Sequence, residues 1–291
     1  MDSQRLDEAG SGMAGSARIR KILILGGTAE ARALAQDLAG RGDLAVTLSL
    51  AGRTAEPLPQ AVPVRSGGFG GVDGLAAYLR AERIDALIDA THPYAAVISA
   101  NAARAAELAR VPLLALRRAA WKKQAGDSWT EVATVEDAVT ALGETPRRVF
   151  LTLGRKQLAP FAAAPRHVYL VRSVDPVDPP LAVPRASYIA ARGPFTEAAD
   201  RTLLERHAIE IIVAKNSGGE ASYAKIAAAR ALGIPLILLA RPTLPEVATA
   251  TSVEEVLAWL DHVSALRPPA ACRPAGFAPR GRSAWSRASR Q

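Results

Sequence analysis

Two segments recur at a fixed offset of 123 residues: IDALIDAT (84–91) aligns with HAIEIIVA (207–214), and VPLLALRR (111–118) with IPLILLAR (234–241). Each pair brackets an Ala-rich helical stretch, and each closing segment enters through a proline and exits through arginine. Aliphatic runs this continuous are buried on both faces, which parallel strands covered by helices achieve and half-solvated antiparallel strands do not. A duplicated unit of strand, helix and strand predicts an α/β protein of two lobes with largely parallel sheets facing across a ligand cleft. The lobes are expected at 19–145 and 146–264, joined somewhere within 119–147 and able to close over a ligand about that linker. Residues 1–18 read as a disordered N-terminal extension and 265–291 as a basic disordered tail.

The first lobe opens on KILILGGTAEAR (21–32), an aliphatic strand ending in Gly26 and Gly27 before a helical pattern begins. Glycine at the carboxyl end of such a strand lets a ligand phosphate reach the backbone where the next helix presents unpaired N–H groups. Thr28 could cap that helix or donate to the phosphate. The run GGTAEA departs from the GxGxxG dinucleotide fingerprint, so a tight turn without a ligand remains open from the motif alone. A second strand, LAVTLSLAGR (44–53), ends at Ser49, Gly52 and Arg53 with no carboxylate in its length. Dinucleotide folds for NAD place an acid near that point, whereas an arginine there accepts the 2′-phosphate of NADP.

Next, VPVRSGGFGG (62–71) sets Gly67, Gly68 and Phe69 in a loop that is costly to order, which suggests close backbone approach to something flat or anionic with Phe69 stacking on it. A flexible connector is the alternative. IDALIDATHPYA then carries Thr91, His92 and Tyr94 to the carboxyl end of a buried strand, where α/β folds put their ligands. The second lobe's strand ends are basic instead: Arg155 and Lys156, Arg192, the run Lys215, Asn216, Ser217 and Gly218, and Arg241. Brought to one sheet edge, they form a cationic wall suited to several carboxylates or phosphates.

The formal net charge of +8 invites a nucleic-acid partner, but residues 265–291 hold six arginines and no acid, leaving only +2 elsewhere. With 5 % aromatic residues and no RNA-binding aromatic pattern, nucleic acid is not expected. The single cysteine, Cys272, lies in the tail and allows neither an internal disulfide nor a cysteine metal site, and no metal is expected. The first eighteen residues have no apolar core of a signal peptide, and nothing approaches a membrane span, so a cytoplasmic enzyme without membrane contact is the expectation.

Taken together, ILILGGTAEAR, SLAGR, SGGFGG, DATHPYA, TLGRK, ARGPF and AKNSGG resemble, in order and spacing from about residue 20 to 262, the precorrin-6A reductase family of cobalamin biosynthesis. The resemblance implies two Rossmann-like lobes and an NADPH-dependent reduction of one ring double bond of the precorrin-6A macrocycle to precorrin-6B. It implies cofactor contacts from Gly26, Gly27, Thr28, Ser49, Gly52, Arg53, Gly67, Gly68, Phe69, Thr91 and His92, and tetrapyrrole contacts from Tyr94, Arg155, Lys156, Arg192, Lys215, Asn216, Ser217 and Gly218. His92, Tyr94 and Lys215 are the candidate proton donors, with solvent or the substrate's own carboxyl group as alternatives. A cobalt-precorrin-6A reductase, another NADPH-dependent reductase of an acidic metabolite and a non-catalytic two-lobed binding protein stand as rival readings. Transient contact with neighbouring pathway enzymes is also left open.

Overall fold

The computed structural model describes residues 19–52 and 57–266; the extension 1–18, Arg53 and the tail from 267, with Cys272, lie outside them. In chain order the elements of the first half are β1 (Arg20–Leu25), α1 (Ala29–Leu38), β2 (Leu44–Leu50), β3 (Val64–Ser66), α2 (Gly71–Ala81), β4 (Ala86–Asp89), α3 (Ala96–Ala109) and β5 (Leu113–Leu116). They continue with β6 (Trp129–Val132), α4 (Val135–Ala141), β7 (Arg148–Thr152), β8 (Val168–Ser173), β9 (Ala186–Ala190) and α5 (Glu197–Arg206). The chain closes with β10 (Ile211–Lys215), α6 (Ala224–Leu232), β11 (Leu236–Leu239), β12 (Thr249–Ala250) and α7 (Val253–Leu266). All strand pairings are parallel, in two six-stranded sheets of order β12-β5-β4-β1-β2-β3 and β6-β11-β10-β7-β8-β9.

The strands form where the aliphatic runs are, because both faces of each sheet are covered. In β1, Ile22 and Ile24 pack with Leu34 and Leu38 of α1 and Val256 and Leu260 of α7, while Leu23 and Leu25 meet Leu75 and Leu79 of α2 and Ala102 and Ala105 of α3. In the second sheet Val149 and Leu151 face Ala138 of α4 and Leu142 just after it, and Phe150 faces Leu204 of α5 and Ile226 of α6. Three helix starts are set by side-chain caps: at α1 Thr28 accepts from the Ala31 amide, at α5 Thr196 from Ala199, and at α4 Thr134 forms a reciprocal box with Asp137.

The sheets also trade elements across the expected boundary. β6 and α4 precede residue 145 but belong to the second sheet, while β12 and α7, at the chain's end, return to the first. β6 reads as polar in sequence because it is an edge strand, and β12 has only two residues. Two crossing segments, 117–128 and 240–248, therefore join the lobes, where the half-repeat led us to expect one linker.

Candidate functional site

The carboxyl edges of the two sheets face one another, so each strand's last residues and the turn after it line the junction. On the first sheet, Gly26 and Gly27 follow β1, and the Gly26 amide donates to the Ser49 carbonyl at 2.9 Å. The space where a side chain would begin at Gly27, Gly67 or Gly68 is open. Thr28 is committed within the turn: besides capping α1, its hydroxyl donates to the Ala90 carbonyl at 2.9 Å, so its proton is not available to a phosphate.

Ser49, one residue before the end of β2, is almost fully buried, with Gly52 three residues on. The residue organising this corner is Arg65, whose guanidinium donates to the carbonyls of Gly67 and Gly68 at 2.7 Å each and lies 3.8 Å over the Phe69 ring. Phe69 in turn meets Tyr78 edge-on at 5.2 Å. One face of Phe69 is thus taken by Arg65, and the half-buried ring packs on the core.

At the end of β4, buried Asp89 accepts from the Thr91 amide and hydroxyl and from the Ser99 hydroxyl of α3, which ties the loop down. His92 Nδ1 accepts from the Tyr94 amide at 3.2 Å, leaving its proton on Nε2. Burial, reinforced by the charges of Arg118, Lys215 and Arg241, pushes His92 down to about 3, so it is a neutral imidazole. The Tyr94 hydroxyl donates to the Leu239 carbonyl after accepting from the Asn216 amide at 2.8 Å, and burial pushes the phenol up to about 12. Neither group is poised to release a proton. Lys215 completes the cluster, its Nζ 5.1 Å over the Tyr94 ring.

The AKNSGG run serves the junction itself. Buried Asn216 spends both ends of its amide on Trp121 of the first crossing segment, accepting from its N–H at 2.8 Å and donating to its carbonyl at 3.1 Å. The Trp121 indole donates to the Gly219 carbonyl, and Lys225 Nζ lies 5.0 Å over its ring. Gly218 has φ of +68°, and a Cβ there would fall 2.0 Å from the Ala119 carbonyl oxygen. Asn216 and Gly218 thus clamp the crossing segments. Ser217 lends its carbonyl to Arg118 Nε at 2.7 Å and to Arg241 at 3.0 Å.

Arg241 also donates to the carbonyls of Asn216, Arg118 and Ala119. Arg118 reaches back across the junction to Glu30 in the first turn of α1, with Nη1 2.6 Å from its carboxylate. Arg118 and Arg241 are equivalent positions in the half-repeat, which was the one signal for their shared role; nothing in the sequence singled out Glu30, Trp121 or Asp89. The remaining wall residues sit on exposed loops of the second lobe. Arg155, in a 3₁₀ turn after β7, donates to the Pro176 carbonyl and pairs with Asp175 at 3.6 Å, Lys156 is its neighbour, and Arg192 follows β9. Beneath the loop of Arg192, buried Arg172 pairs with Asp200 and supports the Phe195 ring at 3.8 Å. Among the described residues no group of three or more His, Cys, Asp or Glu could hold a metal ion, and no helix is long and apolar enough to cross a membrane.

Residues 21–261 match the family described as precorrin-6x reductase CbiJ/CobK. The precorrin-6A reductase of a Sinorhizobium species is 53 % identical over 242 residues, spanning 83 % of this chain and 93 % of that protein. The precorrin-6A reductase of Rhodobacter capsulatus is 50 % identical over 243 residues, spanning 83 % and 96 %, and the cobalt-precorrin-6A reductase of Priestia megaterium is 31 % identical over 247 residues, spanning 81 % and 96 %. A solved structure described as CobK precorrin-6A reductase superposes with a TM-score of 0.81 at 48 % identity, covering 84 % of this chain and 97 % of its own.

Proposed function

The chain belongs to the precorrin-6x reductase CbiJ/CobK family and is an oxidoreductase of cobalamin biosynthesis acting on precorrin-6A; from that premise we propose that NADPH is its reductant, held on the glycine-lined edge of the first sheet. The feature that carries this reading is the facing of two unlike edges. One is open, glycine-rich and without a carboxylate at the end of β2; the other ends in Lys215 and is flanked by Arg155, Lys156 and Arg192. The open backbone at Gly27, Gly67 and Gly68 beside the first turn of α1 fits the phosphates of a dinucleotide. When bound, the cofactor supplies the hydride.

The chain's own groups bind and orient. The Gly26–Thr28 turn and the Gly52 and Gly67–Gly68 backbones line the dinucleotide, Ser49 and Arg53 grip the 2′-phosphate, and Thr91 and neutral His92 border the reacting end. Arg155, Lys156 and Arg192 take acidic side chains of the macrocycle, Arg bidentately and Lys as a point charge. Of the three candidate proton donors, Tyr94 is tied to the lobe junction and His92 is neutral, so Lys215 is assigned to protonate the carbon next to the one that receives hydride. The higher identity to cobalt-free relatives supports the metal-free macrocycle as substrate.

The test is direct: incubate the protein with precorrin-6A and either NADPH or NADH, and follow the macrocycle's absorption. Bleaching of the substrate spectrum with NADPH at far lower cofactor concentration than with NADH is expected; equal use of both would sink the NADPH assignment. Arg53→Ala should raise the KM for NADPH about ten- to a hundredfold, the loss of a charge-assisted grip of about 1.5–3 kcal/mol, and leave NADH kinetics unchanged. If the preference survives, Arg65 beside Ser49 is the next residue to replace.

A further inference from the structure

Glu30 lies at the second position of α1, where its carboxylate is within reach of its own amide and of Arg118 Nη1 at 2.6 Å. Burial pushes this carboxyl up, but the bonds to Arg118 and to the first-turn amide outweigh it and hold it below the usual carboxylate range. The pair is itself boxed in: a Cβ at Gly219 would fall 2.8 Å from the Arg118 side chain and 3.1 Å from the Glu30 carboxylate. With Thr28, Thr91 and Pro93 it lines a small cleft at the carboxyl edge of the first sheet, closed by Arg118 of the crossing segment. An internal anion thus sits where the helix and an arginine from the crossing segment would together receive an external one.

We propose that Glu30 is a resident anion that a ligand oxyanion displaces, so that Arg118 becomes a contact to the ligand and Glu30 a positioning residue that sets its affinity. This rests on the dinucleotide reading above and deepens it: the displacing group is the cofactor's pyrophosphate. The pyrophosphate and the carboxylate cannot both hold the Arg118 edge that now pairs with Glu30, and two anions a few ångströms apart repel one another in this half-buried site. A substrate carboxylate shares the same chemistry and is separated from the pyrophosphate by the choice of titrant.

Binding is read by nicotinamide fluorescence on the full chain without substrate. Glu30→Gln removes the competing charge and should tighten NADPH about tenfold, whereas Arg118→Ala should weaken it about tenfold, and in the Arg118→Ala background Glu30→Gln, left with only the direct repulsion to relieve, should tighten NADPH less than it does in the parent. A merely structural ion pair predicts the same sign for both single variants, so opposite signs are the diagnostic result. Glu30→Asp, which keeps the charge, guards against misfolding and should retain the parental Kd. An unchanged or weaker Kd for Glu30→Gln, with its thermal transition intact, overturns the exchange. Tightening of precorrin-6A instead of NADPH overturns the pyrophosphate assignment. If the parental chain itself fails to bind NADPH, the cofactor reading falls and the exchange with it; normal parental binding with indifferent variants removes the exchange alone.

Discussion

His92 carries a cost that can be read in stability. Its imidazole protonates near 6.5 in an unfolded chain but, held down to about 3 by burial and by Arg118, Lys215 and Arg241, stays neutral in the fold. Between those values the unfolded chain binds a proton that the native chain refuses. Its contribution is therefore fully present above pH 6.5 and is lost as pH falls toward 3, by up to about 1.4 kcal/mol per pH unit. Urea unfolding at pH 7.5 and 5.0 should show a smaller drop for His92→Asn than for the parent; parallel drops would mean the imidazole is not held neutral. For Tyr94→Phe, the Asn216 amide and the Leu239 carbonyl lose their shared partner, so a stability loss of about 1–3 kcal/mol is expected with kcat retained at permissive temperature. Lys215→Gln separates two roles. Loss of a proton donor lowers kcat about a hundredfold or more at unchanged KM, whereas loss of a substrate contact raises KM about tenfold.

At the scale of elements, α2 is docked against the loop it follows. A Cβ on Gly74 would sit 1.7 Å from the Phe69 carbonyl oxygen, a backbone atom that cannot move without the loop from Ser66 to Gly71. In an exposed helix interior Gly→Ala would stabilise by about 1 kcal/mol. Here the clash should reverse that sign, with a loss of about 1–3 kcal/mol and a weaker NADPH Kd, since the displaced loop carries Gly67 and Gly68. A Gly74→Ala variant with raised Tm and parental Kd would show that the loop yields freely. Gly218→Ala makes the same demand at the other edge, against the Ala119 carbonyl and at positive φ, and should be the more damaging change because both lobes must part to admit it.

Across the whole molecule, the two crossing segments are laced together. Arg241 donates to four carbonyls on both sides of the junction, Arg118 spans from Ser217 to Glu30, and Tyr94 joins the end of β4 to β10 and β11. Rigid-body closure about a linker, the expectation from the half-repeat, would have to break this lattice, in which each bond to a charged donor contributes about 1.5–3 kcal/mol, less where water screens it. The cleft is thus built in place, and small-angle scattering should give the same radius of gyration with and without NADPH. Arg241→Ala should loosen the junction, and contraction on ligand addition should then appear. Contraction in the parent would mean the junction opens at little cost.

The amino-acid sequence by itself determined the α/β class, the helix that follows the first glycine turn, the parallel character of the sheets and the polar strand ends that line the cleft. Those follow from short-range rules: aliphatic runs buried on both faces, threonine caps, and glycine where the chain turns. It did not reveal that β6 and β12 cross to the opposite sheets, because an edge strand with polar residues and a two-residue strand carry almost no periodicity of their own. Nor did it reveal which polar groups hold the junction together. Asn216, Tyr94 and Phe69 looked like ligand contacts because their types and positions suited the task. Only the tertiary structure supplied the partners, Trp121, Leu239 and Arg65, because the hydrogen bonds join residues far apart in the chain and the ring contact is made across the turn at Gly67 and Gly68.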